Sequence, residues 1–211
     1  MEGYGFVRIL FKSLFQITSF VSLPPKEFFD LIKRKVRGVP FSYVIEMTTN
    51  RKVYPVTDED KEVIEEIFKA AIEVVEDSKE EDFGDMRPNE ISNRLEDMLR
   101  AKLGGVIPEN KVAGYPNILI ERKGKYYYVE VKLAEEDKLD SSFRTFYYEP
   151  VELAKVTKDA CHIAVGFIHR RKTIIGFKII DLSKIKVNLK NEFNASNREL
   201  YKPDAVVKAY P

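Results

Sequence analysis

Residues 115–133 decide how the chain is read: Tyr115-Pro116-Asn117-Ile118-Leu119-Ile120-Glu121-Arg122-Lys123-Gly124-Lys125-Tyr126-Tyr127-Tyr128-Val129-Glu130-Val131-Lys132-Leu133. Two apolar runs, 116–121 and 125–133, flank the turn Arg122-Lys123-Gly124, which is the pattern of a β-hairpin. Side chains alternate along a strand, so Glu130 and Lys132 project from one face while Val129 and Val131 point into packing. Asn117, at the start of the first strand, is placed to approach the same end of the sheet. An acid and a lysine two apart on a strand can serve one site. Oxygen donors hold a hard cation, and a nearby ammonium orients a nucleophile or balances developing negative charge. The same Glu-Val-Lys is also what the solvated face of an edge strand looks like, so its surroundings must decide.

Outward from the hairpin, residues 88–103 read as a helix with Ile91, Leu95, Met98, Leu99 and Leu103 on one face and Gly104-Gly105 closing it. Residues 106–113 are expected to supply a first strand. Downstream, a helix is expected near 141–159, kinked or broken at Pro150. Strands 161–168 and 173–180 come next, around the basic turn His169-Arg170-Arg171-Lys172. From residue 88 onward the order is α-β-β-β-α-β-β.

Upstream, Pro24-Pro25 suits the first turn of a helix burying Phe28, Phe29, Ile32 and Val36 and stopping at Gly38. Residues 41–47 and 52–56 read as strands around Thr49-Asn50-Arg51. Thr57 and Asp60 resemble a helix cap. The helix beyond them repeats Val63/Ile64, Ile67/Phe68, Ala71 and Val74/Val75 at helical spacing. The polar stretch 77–85 then separates an N-terminal layer from the second part of the chain. The expected division is 1–85 as an N-terminal α/β addition packed on a core of 86–181, with 182–211 as a C-terminal extension.

Pro116-Asn117 on one strand, Glu130-Val131-Lys132 on the next, and an acidic helix before them resemble the PD-(D/E)XK, or restriction-endonuclease-like, nuclease superfamily. The resemblance covers roughly residues 88–180. Holliday-junction resolvases and small restriction enzymes are the nearest architectural relatives, and an archaeal viral nuclease fits the size and composition. It implies an α/β fold with an α-β-β-β-α-β core, a mixed central sheet flanked by helices. It also implies a metal-dependent DNA endonuclease hydrolysing phosphodiester bonds, with structure selectivity as in the resolvases, and a homodimer acting on two strands. Mg2+ or Mn2+ would be held by Glu130, a helix acid (Glu96, or Glu90 at the helix start), Asn117 and the carbonyl of Val131, with Lys132 beside the attacking water. Lys138, Ser141, Arg144 and Thr145, just after the motif, are the expected DNA-backbone contacts. Asn117 departs from the pattern, since the superfamily has Asp there. An amide oxygen can ligate a cation but brings no charge, which motivates the alternative of a DNA-binding module that has lost its cutting activity.

Composition sets outer bounds. In 211 residues, 44% apolar content supports a real interior, and 35 Lys+Arg against 34 Asp+Glu leave no overall charge signature for nucleic acid. Heavy Lys and Glu usage without Trp is compatible with a thermophilic source. The single cysteine, Cys161, excludes an intramolecular disulfide, and its apolar neighbours point to a buried thiol. His162 and His169 lack the partners of a zinc site. The apolar stretch 4–23 is interrupted by Arg8 and Lys12, so no membrane association is expected and the protein is expected to be soluble and intracellular, in the host cytoplasm if viral. No phosphate-binding loop, dinucleotide glycine fingerprint or nucleophile elbow is present.

Overall fold

The computed structural model describes residues 37–108, 114–139, 154–188, 203–204 and 207–208. Its elements are β1 (Val39–Pro40), α1 (Phe41–Thr49), β2 (Val53–Tyr54), α2 (Lys61–Asp77), α3 (Pro88–Leu103), β3 (Ile118–Arg122), β4 (Lys125–Glu135), β5 (Ala160–Arg170), β6 (Thr173–Asp181) and β7 (Lys186–Val187). The architecture is mixed α/β, built on one five-stranded sheet.

The hairpin forms as its alternation predicts, with Ile118 opposite Val129 and Arg122 opposite Lys125. Its second strand, β4, then runs parallel to β5 from Tyr127↔Cys161 to Glu135↔His169. The other edge of β5 is shared. Parallel β2 pairs at Ala160 and Cys161, and antiparallel β6 takes over from Ile163. β1 and β7 form a separate antiparallel pair.

Two apolar layers sandwich the sheet. On one face, Val63, Ile67 and Val74 of α2 and Ile91, Leu95, Leu99 and Leu103 of α3 pack on Val129, Val131, Ile163 and Val165. Each of the four buried α3 side chains contributes roughly 1.5–3 kcal/mol of transfer free energy. On the opposite face, Phe41 and Ile45 of α1 cluster with Tyr115, Tyr128, Val156 and Ala164. β4 therefore divides its side chains. Val129, Val131 and Leu133 enter the α2/α3 layer, whereas Tyr128 enters the α1 layer and Glu130 and Lys132 share its phase.

Several expectations are corrected. Residues 41–47 are not a strand but most of α1, because Phe41, Val44 and Ile45 are buried on one helical face. A short apolar run fits either period, and burial on one side only selects the helix here. The strand expected over 52–56 shrinks to β2, and Asn50 is the left-handed cap of α1 (φ 56°). Residues 106–108 form no strand. Only Val106 makes a bridge, to Leu119, and 109–113 lie outside the described residues. Residues 154–159, the end of the helix expected at 141–159, are irregular, because the Tyr128 hydroxyl takes the backbone N–H groups of Thr157 and Lys158 at 2.9 and 3.1 Å. The remainder of that helix and the one expected over 24–37 fall outside the described residues, apart from Arg37.

Helix α3 has the predicted bounds, and its two closing glycines do different jobs. Gly104 adopts a left-handed φ of 56°, while a Cβ on Gly105 would meet Ile118 Cγ2 at 2.5 Å. No helix among the described residues is long and apolar enough to cross a membrane.

The start of α2 is tied to the sheet through Asp60, which is 1% exposed. Its carboxylate accepts from Thr57 N (2.8 Å), Thr57 Oγ1 (3.0 Å) and Tyr127 Oη (2.8 Å), and Lys125 lies at 3.4 Å. Burial pushes its pKa up, but these hydrogen bonds outweigh burial and hold the carboxyl below its ordinary value. Stability from Asp60 is therefore complete above the unfolded pKa and is lost as pH falls through the lower folded one. Asp60→Asn is expected to cost about 1–3 kcal/mol at neutral pH and to flatten the acid limb of stability, checked by urea unfolding over a pH series. An unchanged acid limb would contradict the assignment.

Candidate active site

The geometry begins just before β3 starts. Ile118 is the first residue of β3 and pairs with Val129 of β4, and Pro116 has no N–H with which to extend the ladder upstream. The N–H of Val131, two residues past the paired Val129, is taken instead by the Asn117 side chain, whose Oδ1 accepts it at 2.7 Å. The other end of that amide donates from Nδ2 to Glu96 Oε2 at 2.7 Å. Asn117 thus joins α3 to β4, and it does so beside Glu130.

Glu130 is 4% exposed, and its Oε1 receives the Lys132 ammonium at 2.6 Å. Among the described residues its other oxygen, Oε2, is buried with no hydrogen-bond partner, although the Asn117 backbone N–H helps to hold the carboxyl's pKa down. Burial drives the Glu130 carboxyl above its ordinary pKa, opposed by the charges of Lys132 and Lys155. Glu96 is also raised, by burial first. Arg100 pulls it down, and the nearby charge of Glu130 adds repulsion. The Glu96 and Glu130 carboxyls are thus electrostatically coupled, from a helix and a strand 34 positions apart in the chain.

The residues singled out from sequence divide clearly. Glu96, Asn117, Glu130, Val131 and Lys132 come together. Glu90 does not join them: it caps α3, accepting Arg87 N at 2.6 Å and pairing with its guanidinium at 2.8 Å, about 9 Å along the helix from Glu96. Lys138 sits in the turn after β4 and pairs with Glu135. Ser141, Arg144 and Thr145 lie outside the described residues. Cys161 is buried and its thiol is pushed up to about 11, chiefly by burial, which disfavours the thiolate. His162 is pushed down to about 3 by burial, and its Nδ1 meets the Tyr115 hydroxyl at 2.5 Å.

One group escapes the sequence reading. Lys155, only 6% exposed, donates to the carbonyls of Gly114 (2.9 Å) and Pro116 (3.1 Å), and its charge acts on both Glu96 and Glu130. Its only signal in the sequence is a lysine flanked by Ala154 and Val156 within an apolar stretch.

The donor set fits a hard divalent cation in kind: two carboxylates and an amide oxygen, with one carboxylate oxygen desolvated and unsatisfied. It is sparse in charge. Among the described residues, no group of three or more His, Cys, Asp or Glu side chains is arranged to hold a metal ion.

A family model for "Type II restriction enzyme MjaV family" matches residues 33–204. The Type II restriction enzyme MjaV of Methanocaldococcus jannaschii is 36% identical over 208 residues, a span covering 83% of this chain and 90% of that enzyme. No solved structure matches the chain.

The Asn117 bridge carries a stability prediction. In Asn117→Asp, a carboxylate would replace the amide donor facing Glu96, setting two like charges at hydrogen-bond distance and raising both pKa values. A folded-state pKa raised in this way removes stability as pH rises through it. The metal-free variant should therefore lose about 1–3 kcal/mol at neutral pH and recover as pH falls below the carboxylate range. Urea unfolding at several pH values checks this, and equal stability to the parent at neutral pH would contradict the bridge.

Proposed function

The chain belongs to the Type II restriction enzyme MjaV family, and from that premise we propose that it is a metal-dependent DNA endonuclease whose site is built from Glu130, Lys132, Asn117 and Glu96 on a PD-(D/E)XK-type core. The observation that carries the reading is the Glu130 oxygen that is buried and has no hydrogen-bond partner among the described residues, beside the Lys132 ammonium. A buried carboxylate oxygen without a partner costs on the order of 1–3 kcal/mol or more, and a cation is the partner that suits it.

Mg2+ or Mn2+ would be held by Glu130 and Glu96, with Asn117 Oδ1 and the Val131 carbonyl as neutral oxygens. When bound, such a cation supplies positive charge against a phosphorane-like transition state and lowers the pKa of water. Glu130 and Glu96 must be deprotonated to bind it, and because both carboxyls are raised, binding weakens as pH falls toward the acidic range. Lys132 is held by Glu130 at 2.6 Å with 27% of its side chain exposed. Its ammonium can thus orient a nucleophile or receive developing negative charge at the phosphate. Asn117 keeps Glu96 and the β4 backbone in register, so that the acids from helix and strand address one point. DNA is the proposed substrate, and a homodimer the proposed assembly for acting on two strands.

A second reading keeps the fold and DNA binding without cutting. It rests on the amide at 117, both ends of which are hydrogen-bonded within the protein. Supercoiled, linear and four-way-junction DNA, titrated with Mg2+ and Mn2+, separate the two. Metal-dependent cleavage that falls at least about 100-fold in both Glu130→Ala and Lys132→Ala is the expected result. Tight DNA binding with no cleavage under either metal would select the second reading, and neither binding nor cleavage would defeat both.

A further inference from the structure

Lys155 is nearly as buried as Glu130 and lies outside the motif that carries the family resemblance. The backbone just beyond it is fixed by Tyr128, whose hydroxyl accepts the N–H groups of Thr157 and Lys158. Tyr128 is two residues before Glu130 on β4 and shares its phase. From that anchored segment, Lys155 reaches the turn that precedes Asn117. Two of its ammonium protons go to the carbonyls of Gly114 and Pro116, the residues leading into Asn117. The same turn is held from β5 by Tyr115 Oη and His162 Nδ1 at 2.5 Å. The position of the Asn117 amide, and with it the carboxylate of Glu96 and the N–H of Val131, is therefore set by a turn clipped to the 155–158 segment.

Accordingly, we propose that Lys155 is a positioning residue for the site: by pinning the 114–116 turn to the segment that Tyr128 anchors on β4, it places the Asn117 bridge between Glu96 and Val131. This deepens the nuclease reading and rests on it for its functional half. Its charge adds a second effect, since it attracts both acids, on which Arg100, Asp97, Glu130 and Lys132 also act among the described residues. A merely structural lysine would stabilise the fold without favouring the Val131 amide. A positioning lysine affects that amide selectively.

Hydrogen exchange of the full chain, without metal or DNA, distinguishes the two. In Lys155→Met, the Val131 amide should exchange about tenfold faster relative to the Ile163 amide of β5, as expected when one hydrogen bond is loosened. Lys155→Arg, which keeps charge and donors, should restore most of the protection. With DNA and saturating Mg2+, Lys155→Met should lower kcat by about 100-fold at little change in KM, the scale expected for roughly 1 Å of misplacement. If Lys155→Met does not fold, Lys155→Gln provides the same comparison, with a smaller loss in both readouts. Val131 and Ile163 accelerating equally, or neither changing, overturns the proposal, as does an unchanged kcat in a cleaving protein. Selective loss of Val131 protection in a chain that never cleaves DNA would defeat the nuclease reading and leave Lys155's placement of the bridge standing.

Discussion

The arrangement depends on one amide. Asn117 stands just before strand β3 begins, and its side chain makes the bond that the backbone there cannot, accepting Val131 N–H while donating to Glu96. An exposed version of this contact would be worth little against water. Here it is half buried, and each end finds its complement, so the cost of breaking it is the desolvation of the groups left behind. Through it, a helix acid and a strand acid are held close enough to influence each other's protonation. A carboxylate at 117 could accept from Val131 but could not donate to Glu96. The amide therefore buffers an acid pair that two further negative oxygens would force apart unless a cation came between them.

Among the described residues, charge at the site is close to balanced. Glu96 and Glu130 face Lys132, Lys155 and Arg100, and Asp97 also pairs with Arg100. The two raised carboxyls are the consequence: burial exceeds the help from neighbouring cations. The polar groups earlier along β4 are better satisfied. Asp60 binds Thr57, Tyr127 and Lys125, and the Tyr128 hydroxyl is taken by two backbone amides. Among the described residues, the buried side-chain atoms left without a hydrogen-bond partner are Glu130 Oε2 and His162 Nε2.

Much of this is legible in the residues, for identifiable reasons. The β3–β4 hairpin, α2 and α3 have strong periodicity over many residues and clear stops, and they form where that periodicity puts them. The pairing of Glu130 with Lys132 follows from alternation alone. The run 41–47 reads as a strand because seven apolar-rich residues satisfy both periods, and only the one-sided layer over the sheet makes it helical. Glu96 and Glu90 look equivalent as helix acids. What separates them is three-dimensional, since one meets Asn117 and the other closes a cap with Arg87. Lys155 is invisible in the sequence because its role comes from irregular backbone at 154–159, which no periodic pattern encodes.

The most direct test is to locate the ion. Crystals of the full chain soaked in Mn2+ and measured at the manganese absorption edge should give one strong anomalous peak bounded by Glu96, Asn117 and Glu130, with Lys132 alongside. A peak elsewhere, for instance among Glu135, Asp137 and His169 at the far end of β4, or none at saturating Mn2+, would contradict the claim that these separated residues form a single cation site.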